Sequence, residues 1–176
     1  GVLHKALKQA VLIGYLRTHP TEACILPRII RKEMHPLEED QVAVFLREVQ
    51  GHPHEYLYKI ALFTGLREGE VLGLGWEHID FQAGTLTVKR QLRREQKKGG
   101  EYYFSPPKNN KSRCLTLAPS VIQLFRLQKL EQNSMRMEAG DAWEEHGLIF
   151  TNQTGGYLSY RTVYDCFKRI VRNIGA

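Results

Sequence analysis

Long hydrophobic runs are missing from this sequence of 176 residues. No stretch is apolar for long enough to cross a bilayer, and the first residues do not look like a signal peptide. We therefore expect a cytoplasmic protein with no membrane partner. Hydrophobic residues make up 42% of the chain and charged residues 25%, which is ordinary for a globular protein.

Cysteine is scarce, and its few positions do not form a pattern. Cys24, Cys114 and Cys166 are odd in number and far apart, which fits neither a disulfide framework nor a zinc site. We expect three buried free thiols. The histidines are scattered as well: His52 and His54 flank a proline, but no nearby side chain completes a set of ligands. The sequence therefore predicts no metal ion.

Acidic residues are outnumbered, with 19 Asp and Glu against 25 Lys and Arg and a net charge of +6. This excess permits nucleic acid as a partner but does not require it. It is concentrated in residues 86–113, where only Glu95 and Glu101 are acidic and an aromatic run follows at 102–104. A solvated charged hairpin is one interpretation, and contact with a phosphate backbone is the one we favour. The basic residues of this segment are Lys89, Arg90, Arg93, Arg94, Lys97, Lys98, Lys108, Lys111 and Arg113.

The hydrophobic pattern predicts a fold of class α+β that is mostly helical. Three short neighbouring segments have strand character and suggest a small antiparallel sheet, namely 85–88, 102–104 and 114–117. Residues 18–36 hold three prolines among basic residues, which predicts an extended linker and a domain boundary. Apolar residues at helical spacing predict helices over 1–17, 37–50, 54–64, 66–74, 119–138 and 160–174.

One arginine interrupts an otherwise apolar and glycine-rich segment. Arg67 lies within LFTGLREGEVLGLGW, residues 62–76, which has the composition of a core segment. A buried arginine cannot lose its charge, so it needs an anionic partner. That partner is either Glu70, one helical turn away, or an anion that arrives with a substrate.

Residues 61–80, ALFTGLREGEVLGLGWEHID, resemble the first conserved box of the tyrosine recombinases, also called the phage integrase family. The family pattern is apolar-x-x-T-G-x-R-x-x-E-apolar-x-x-L-x-W-x-x-I/V-D. The matching positions are Thr64, Gly65, Arg67, Glu70, Leu74, Trp76 and Asp80. The opening residues further resemble integrases of conjugative transposons and related mobile elements.

The resemblance implies a catalytic role for Arg67. In this family, DNA strands are exchanged through a tyrosine ester of the scissile phosphate, with no metal or nucleotide cofactor. Attack on the phosphate adds negative charge to its non-bridging oxygens, and a planar guanidinium can bind two of them at once. Glu70 can pair with Arg67 or orient it. The alternative is a purely structural ion pair between these two residues.

A second family element is a lysine on the turn between two strands of the small sheet. It acts as the general acid that protonates the leaving 5′ oxygen. The stretch KNNKSRCLTL, residues 108–117, matches with Lys108 in that position. A lysine suits the role because it is a cationic proton donor on a flexible stem. Lys111 is the competing candidate, and a simple phosphate contact is the alternative role for either lysine.

The sequence departs from the family pattern towards its end. It contains no H-x-x-R box, and Tyr157, Tyr160 and Tyr164 precede the place where that box would follow. We assign them packing roles and not that of the nucleophile. On this resemblance, residues 1–17 are the last helix of a core-DNA-binding domain and 37–176 are the first two-thirds of a catalytic domain, truncated before its C-terminal helices.

These inferences define the expected activity and partners. The parent protein is expected to be a site-specific DNA recombinase that works as a tetramer on two duplexes, while this chain alone is expected to be inactive. A non-catalytic DNA-binding fragment or regulator is the alternative. The residues expected to contact DNA are Arg90, Arg93, Arg94, Lys97, Lys98, Lys111, Arg113 and Arg161.

Overall fold

The computed structural model describes residues 1–25, 36–97 and 99–175. The chain divides into two units, Gly1–Pro36 and Leu37–Ala176. The first unit contains helix α1, Val2–Leu12. This helix ends earlier than predicted because Gly14 adopts a left-handed φ of 80° and donates its N–H to the Val11 carbonyl. Most of the predicted linker, including Pro27, lies outside the described residues.

The described residues of the second unit form five α-helices, and all of them were predicted. Their boundaries carry the expected signals: Glu38 donates its N–H to Gln41 Oε1 at the start of the first one. Gly65 ends the next helix at a left-handed φ of 62°, and Pro119 opens the longest. The helices are α2 Glu39–Glu48, α3 Glu55–Thr64, α4 Glu68–Leu72, α5 Pro119–Ala139 and α6 Tyr160–Asn173.

The predicted small antiparallel sheet is confirmed, but its membership differs from the prediction. Strand order in the three-stranded sheet is β1-β2-β5, and β3 pairs with β4 in a separate two-stranded sheet. The predicted strand at 102–104 therefore leaves the first sheet and pairs with a strand that the sequence analysis missed. The strands are β1 Ile79–Asp80, β2 Thr85–Val88, β3 Gln91–Arg94, β4 Tyr102–Ser105 and β5 Arg113–Thr116.

Strand β3 was missed because its hydrophobic signal is a single residue. Only Leu92 is buried, while Arg93 and Arg94 extend into solvent. A run of polar and charged residues gives no alternation to recognise, although a polar strand can form when a partner supplies the ladder. That partner is β4, in a register that places Arg93 opposite Tyr103.

The core joins helices and strands of the second unit. Ile60, Leu86, Phe125 and Ile149 are fully buried and come from α3, β2, α5 and the loop after α5. A long-range hydrogen bond satisfies one polar group of this core: the Tyr58 hydroxyl donates to the Val163 carbonyl at 2.8 Å, which links α3 to α6. The predicted fold class is therefore confirmed.

The cysteine prediction was partly wrong. The three thiols are free, but Cys24 and Cys114 are exposed and Cys166 is only half-buried. Cys114 is exposed because alternate positions of β5 face away from the core. Among the described residues, no helix combines the length and apolar character needed to span a membrane. In the same part of the chain, no three His, Cys, Asp or Glu side chains gather as metal ligands would.

Candidate active site

Arg67 lies at the junction of two helices. The left-handed Gly65 ends α3, Leu66 is buried, and Arg67 occupies the position just before α4 with an extended backbone. This short turn fixes the backbone of Arg67 and leaves its side chain exposed to solvent. The Arg67 side chain is 61% exposed although the segment around it has the composition of a core segment.

Glu70 is the buried residue of this segment. It is 1% exposed, and each of its carboxylate oxygens accepts two hydrogen bonds. The Arg113 guanidinium donates to Oε1 and to Oε2, both at 2.8 Å. The Arg67 backbone N–H donates to Oε2 at 2.9 Å, and Arg67 Nη1 lies 3.3 Å from Oε1. The hydrogen bonds from Arg113, with those from Arg67, lower the pKa of Glu70 to about 2 against the cost of burial.

The pairing therefore differs from the one that spacing suggested. From the sequence, Glu70 was expected to pair with Arg67 or orient it, and the structure adds Arg113 as the principal partner of Glu70. The Glu70 hydrogen bonds in turn raise the pKa of Arg113. Two cations and one anion meet here, and the excess positive charge is carried by the more exposed guanidinium, that of Arg67.

A cleft of about 750 Å³ opens beside Arg67. Its walls come from the start of α4, the β3–β4 pair and the start of α6. Four arginines contribute to the lining, so the cleft is strongly positive and suited to a polyanion. The residues with polar or aromatic side chains that line it are Arg67, Glu68, Gln91, Arg93, Arg94, Gln96, Tyr102, Tyr103, Ser159, Tyr160 and Arg161.

Three of the predicted DNA contacts lie on these walls. Arg93 and Arg94 are exposed on β3, and Arg94 is fixed because its Nε donates to the Gly100 carbonyl at 2.8 Å. The Arg94 guanidinium also lies 5.2 Å from the centre of the Tyr102 ring. Arg161 reaches the cleft from α6 with a side chain that is 89% exposed.

Two other predicted DNA contacts are engaged by the chain itself. Arg90 donates from Nε to the Gly73 carbonyl at 3.0 Å, pairs with Glu77 at 3.1 Å and lies 4.1 Å above the Phe104 ring. These contacts give Arg90 a structural task, and it does not line the cleft. Arg113 is similarly held by Glu70. For both arginines, a direct contact with DNA stays a prediction without support from their placement.

Two of the three remaining predicted contacts lie in loops. Lys97 pairs with Glu95 at 2.7 Å, and Lys111 is exposed between β4 and β5. Lys98 lies outside the described residues. Their contact with DNA stays a prediction.

Lys108 lies on a tight turn. The Asn110 N–H donates to the Pro107 carbonyl at 2.8 Å, and Asn110 adopts a left-handed φ of 53°. The turn connects β4 and β5, which belong to different sheets, so the expected position between two strands of one sheet was wrong. Lys108 is exposed and is not among the residues that line the cleft with Arg67.

Sequence reasoning gave no role to one carboxyl group of the cleft. Glu68 Oε1 is buried and has no hydrogen-bond partner among the described residues. Burial raises the pKa of Glu68 to about 7. The signal in the sequence is weak, because an acidic residue in the first turn of a helix usually has a simple dipole role. Only the packing of α4 shows that this carboxyl is removed from water.

The exposed guanidinium of Arg67 has the shape and charge to bind a phosphate. Comparison with known proteins assigns the chain to a family. Residues 35–176 match the profile described as the phage integrase family, and the chain belongs to this family. The tyrosine-recombinase prediction is therefore confirmed.

Two curated relatives have names of the same kind. A "Tyrosine recombinase XerC-like" protein of Caldanaerobacter subterraneus subsp. tengcongensis is 26% identical over 94% of this chain and 46% of its own length. An "Integrase" of Streptomyces ambofaciens is 27% identical over 97% of this chain and 45% of its own length. The chain thus spans about half the length of these relatives.

Solved structures share the fold. The Tn1549 transposon integrase, in complex with a circular intermediate DNA, has a TM-score of 0.76 at 23% identity and covers 97% of this chain and 55% of its own. A lambda integrase dimer bound to a COC′ core site has a TM-score of 0.60 at 20% identity and covers 99% of this chain and 43% of its own. At these identities the likeness concerns the fold alone.

Proposed function

We propose that the protein carrying this chain is a site-specific DNA recombinase, an integrase of a mobile element. The observation that supports this most is the exposed guanidinium of Arg67 on the wall of a positive cleft, beside a carboxylate that another arginine already binds. Membership of the phage integrase family and the names of the relatives support the same reaction. The proposed place of action is the cytoplasm.

The proposed reaction is a phosphoryl transfer. A tyrosine oxygen attacks the scissile phosphorus and forms a 3′-phosphotyrosine ester, while the bond to the 5′ oxygen breaks and that oxygen takes up a proton. Arg67 binds two non-bridging oxygens as their charge increases, and Lys108 supplies the proton. Because the ester conserves the phosphodiester bond energy, the strands rejoin by the reverse transfer without a nucleotide or metal cofactor.

This chain supplies only part of that machinery. It contains no H-x-x-R box, and none of its tyrosines is assigned as the nucleophile. We propose that it binds double-stranded DNA without cleaving it, and that the whole protein acts as a tetramer on two duplexes. Residues 1–17 are proposed as the end of a core-DNA-binding domain, followed by the linker 18–36 and the catalytic residues 37–176.

The test is the Arg67→Lys variant of the whole protein. Lysine keeps the charge but cannot bind two oxygens in one plane. We expect the rate of covalent protein–DNA formation to fall at least about 100-fold while the affinity for duplex DNA changes little. Arg93→Lys is the matched control, and it should retain cleavage. Equal losses of cleavage and of binding in Arg67→Lys would assign Arg67 a folding role instead.

The second candidate function is a non-catalytic DNA-binding regulator. In this interpretation, the positive cleft beside Arg67 binds a DNA duplex without a cleavage reaction. Both candidates predict that duplex binding weakens steeply with salt. Only the recombinase forms a covalent tyrosine–DNA product in the whole protein, so gel analysis of that product separates the two.

A further inference from the structure

The Glu70 carboxylate lies between two arginines that bind it unequally. Arg113 donates two parallel hydrogen bonds of 2.8 Å, one to each oxygen. The guanidinium of Arg67 makes one long contact of 3.3 Å, and the firm bond from Arg67 comes from its backbone N–H at 2.9 Å. A bidentate charge-assisted pair is the stronger of the two arrangements. The charge of Glu70 is therefore matched by Arg113.

Exposure follows the same order. Glu70 is 1% exposed, the Arg113 side chain 37% and the Arg67 side chain 61%. The two partners of the strong pair lie towards the interior, and the third charge lies towards the cleft. As long as Arg113 occupies Glu70, the positive charge of Arg67 remains available to an anion from outside.

We propose that Arg113 is a positioning residue: by binding Glu70, it prevents Glu70 from capturing Arg67 and so keeps the Arg67 guanidinium available for a DNA phosphate. This inference rests on the proposed function, because the anion is taken to be a phosphate of DNA. It replaces the direct DNA contact that the sequence suggested for Arg113 with an effect transmitted through Glu70.

Loss of Arg113 shows the logic of the arrangement. The buried carboxylate would be left with Arg67 as its remaining cation, and a buried charge without a partner is strongly unfavourable. The Arg67 guanidinium would then turn inward and close a bidentate pair with Glu70. Its charge would be cancelled at the surface where the phosphate binds. In the wild-type chain, the pair between Glu70 and Arg113 also fixes β5, which begins at Arg113, five residues after Lys108.

Binding of a mixed-sequence DNA duplex to the 176-residue chain, measured over a series of salt concentrations, tests this proposal. Arg67→Gln should lower the slope of log affinity against log salt by about 0.9, the value for one lost phosphate contact. Arg113→Gln should lower it equally, because Glu70 then captures Arg67. Adding Glu70→Gln to Arg113→Gln should restore the original slope, since a neutral amide has no charge to cancel that of Arg67.

Arg93→Gln is the matched control on the wall of the same cleft. The lowered slope of Arg93→Gln should persist when Glu70→Gln is added, because the hydrogen bonds that Glu70 accepts come from Arg67 and Arg113. If the salt slope of Arg113→Gln also stays lowered when Glu70→Gln is added, Arg113 contacts DNA itself and the proposal is overturned. An unchanged slope in Arg113→Gln overturns it as well.

Two further measurements keep the test decisive. If circular dichroism shows that Arg113→Gln does not fold, Arg113→Lys replaces it. We expect Arg113→Lys to lower the salt slope by a smaller amount and Glu70→Gln to restore it. A slope that is not restored overturns the proposal. NMR of the Arg67 side-chain N–H groups needs no DNA. Arg113→Gln should slow their exchange with water, and Glu70→Gln should reverse this. Absence of DNA binding by the wild-type chain would contradict the proposed function, whereas an unchanged Arg67 signal in Arg113→Gln would overturn the role of Arg113.

Discussion

Single residues at the start of α4 determine the chemistry of the cleft. Arg67, Glu68 and Glu70 lie within four positions, yet their side chains have three different environments. Arg67 faces solvent, Glu68 lies in partly apolar surroundings, and Glu70 is enclosed by two arginines. The two glutamates therefore have opposite pKa shifts, downward for Glu70 and upward for Glu68.

Glu70 should make the stability of the chain sensitive to acid. Because its pKa is lowered from 4.5 to about 2 in the folded state, its stabilising contribution is present above 4.5 and is lost as the pH falls towards 2. The difference corresponds to about 3 kcal/mol. Chemical denaturation between pH 2 and 7 checks this, and Glu70→Gln should flatten that part of the curve. A wild-type curve that stays flat from 5 to 2 would contradict the buried ion pair.

Glu68 should have the opposite effect. Its folded-state pKa is raised from 4.5 to about 7, so the folded protein binds the extra proton and loses stability as the pH rises from 4.5 through 7. Glu68→Gln should therefore raise the free energy of unfolding at pH 8 and have little effect at pH 4. Glu138→Gln, at an exposed position of α5, is the control. Equal effects of Glu68→Gln at both pH values would contradict the burial of this carboxyl.

At the scale of elements, α4 packs directly on the β3–β4 pair and thereby forms the cleft. Gly73, which follows α4, allows the closest approach: a Cβ at this position would lie 2.7 Å from the Leu92 nitrogen. Arg90 reinforces the contact by bonding the Gly73 carbonyl. The position of Arg67 relative to Arg93 and Arg94 therefore depends on backbone contact between these elements.

Gly73→Ala should separate α4 from β3. Its methyl group would meet a backbone atom that cannot rotate away, and overpacking of this kind costs about 1–3 kcal/mol. Thermal unfolding should show the loss. Gly69→Ala is the graded control, because its Cβ would lie 3.2 Å from the Leu92 carbonyl and alanine favours the helix. If Gly73→Ala loses no more thermal stability than Gly69→Ala, the close approach of the Gly73 and Leu92 backbones is not important for packing.

The elements also show which features sequence reasoning could find. Helices such as α5 and α6 were predicted because helical periodicity and the capping signals at Pro119 and Ser159 are local. The bond between Glu70 and Arg113 joins residues 43 positions apart, and no spacing rule reveals such a pair. The intramolecular partners of Arg90 could not be predicted for the same reason, since they become its neighbours only after folding.

At the level of the whole chain, the two features that bear on function are the family box around Arg67 and the cleft beside it. The family box predicted from the sequence was recognised because Arg67, Gly65 and Trp76 keep fixed spacing within one segment. The cleft could not be predicted, since it combines α4, β3, β4 and α6 from residues more than 90 positions apart. In the function proposed above, this cleft receives the DNA duplex.

The most direct test of the central claim, that Arg67 is available to a phosphate, is an experimental structure of this chain bound to a DNA duplex. The quantity to read is the distance from the Arg67 guanidinium nitrogens to the nearest phosphate oxygens. We predict two nitrogens within about 3 Å of two oxygens of one phosphate, with Glu70 still bound by Arg113. A duplex on another face of the chain, with Arg67 turned onto Glu70, would contradict it.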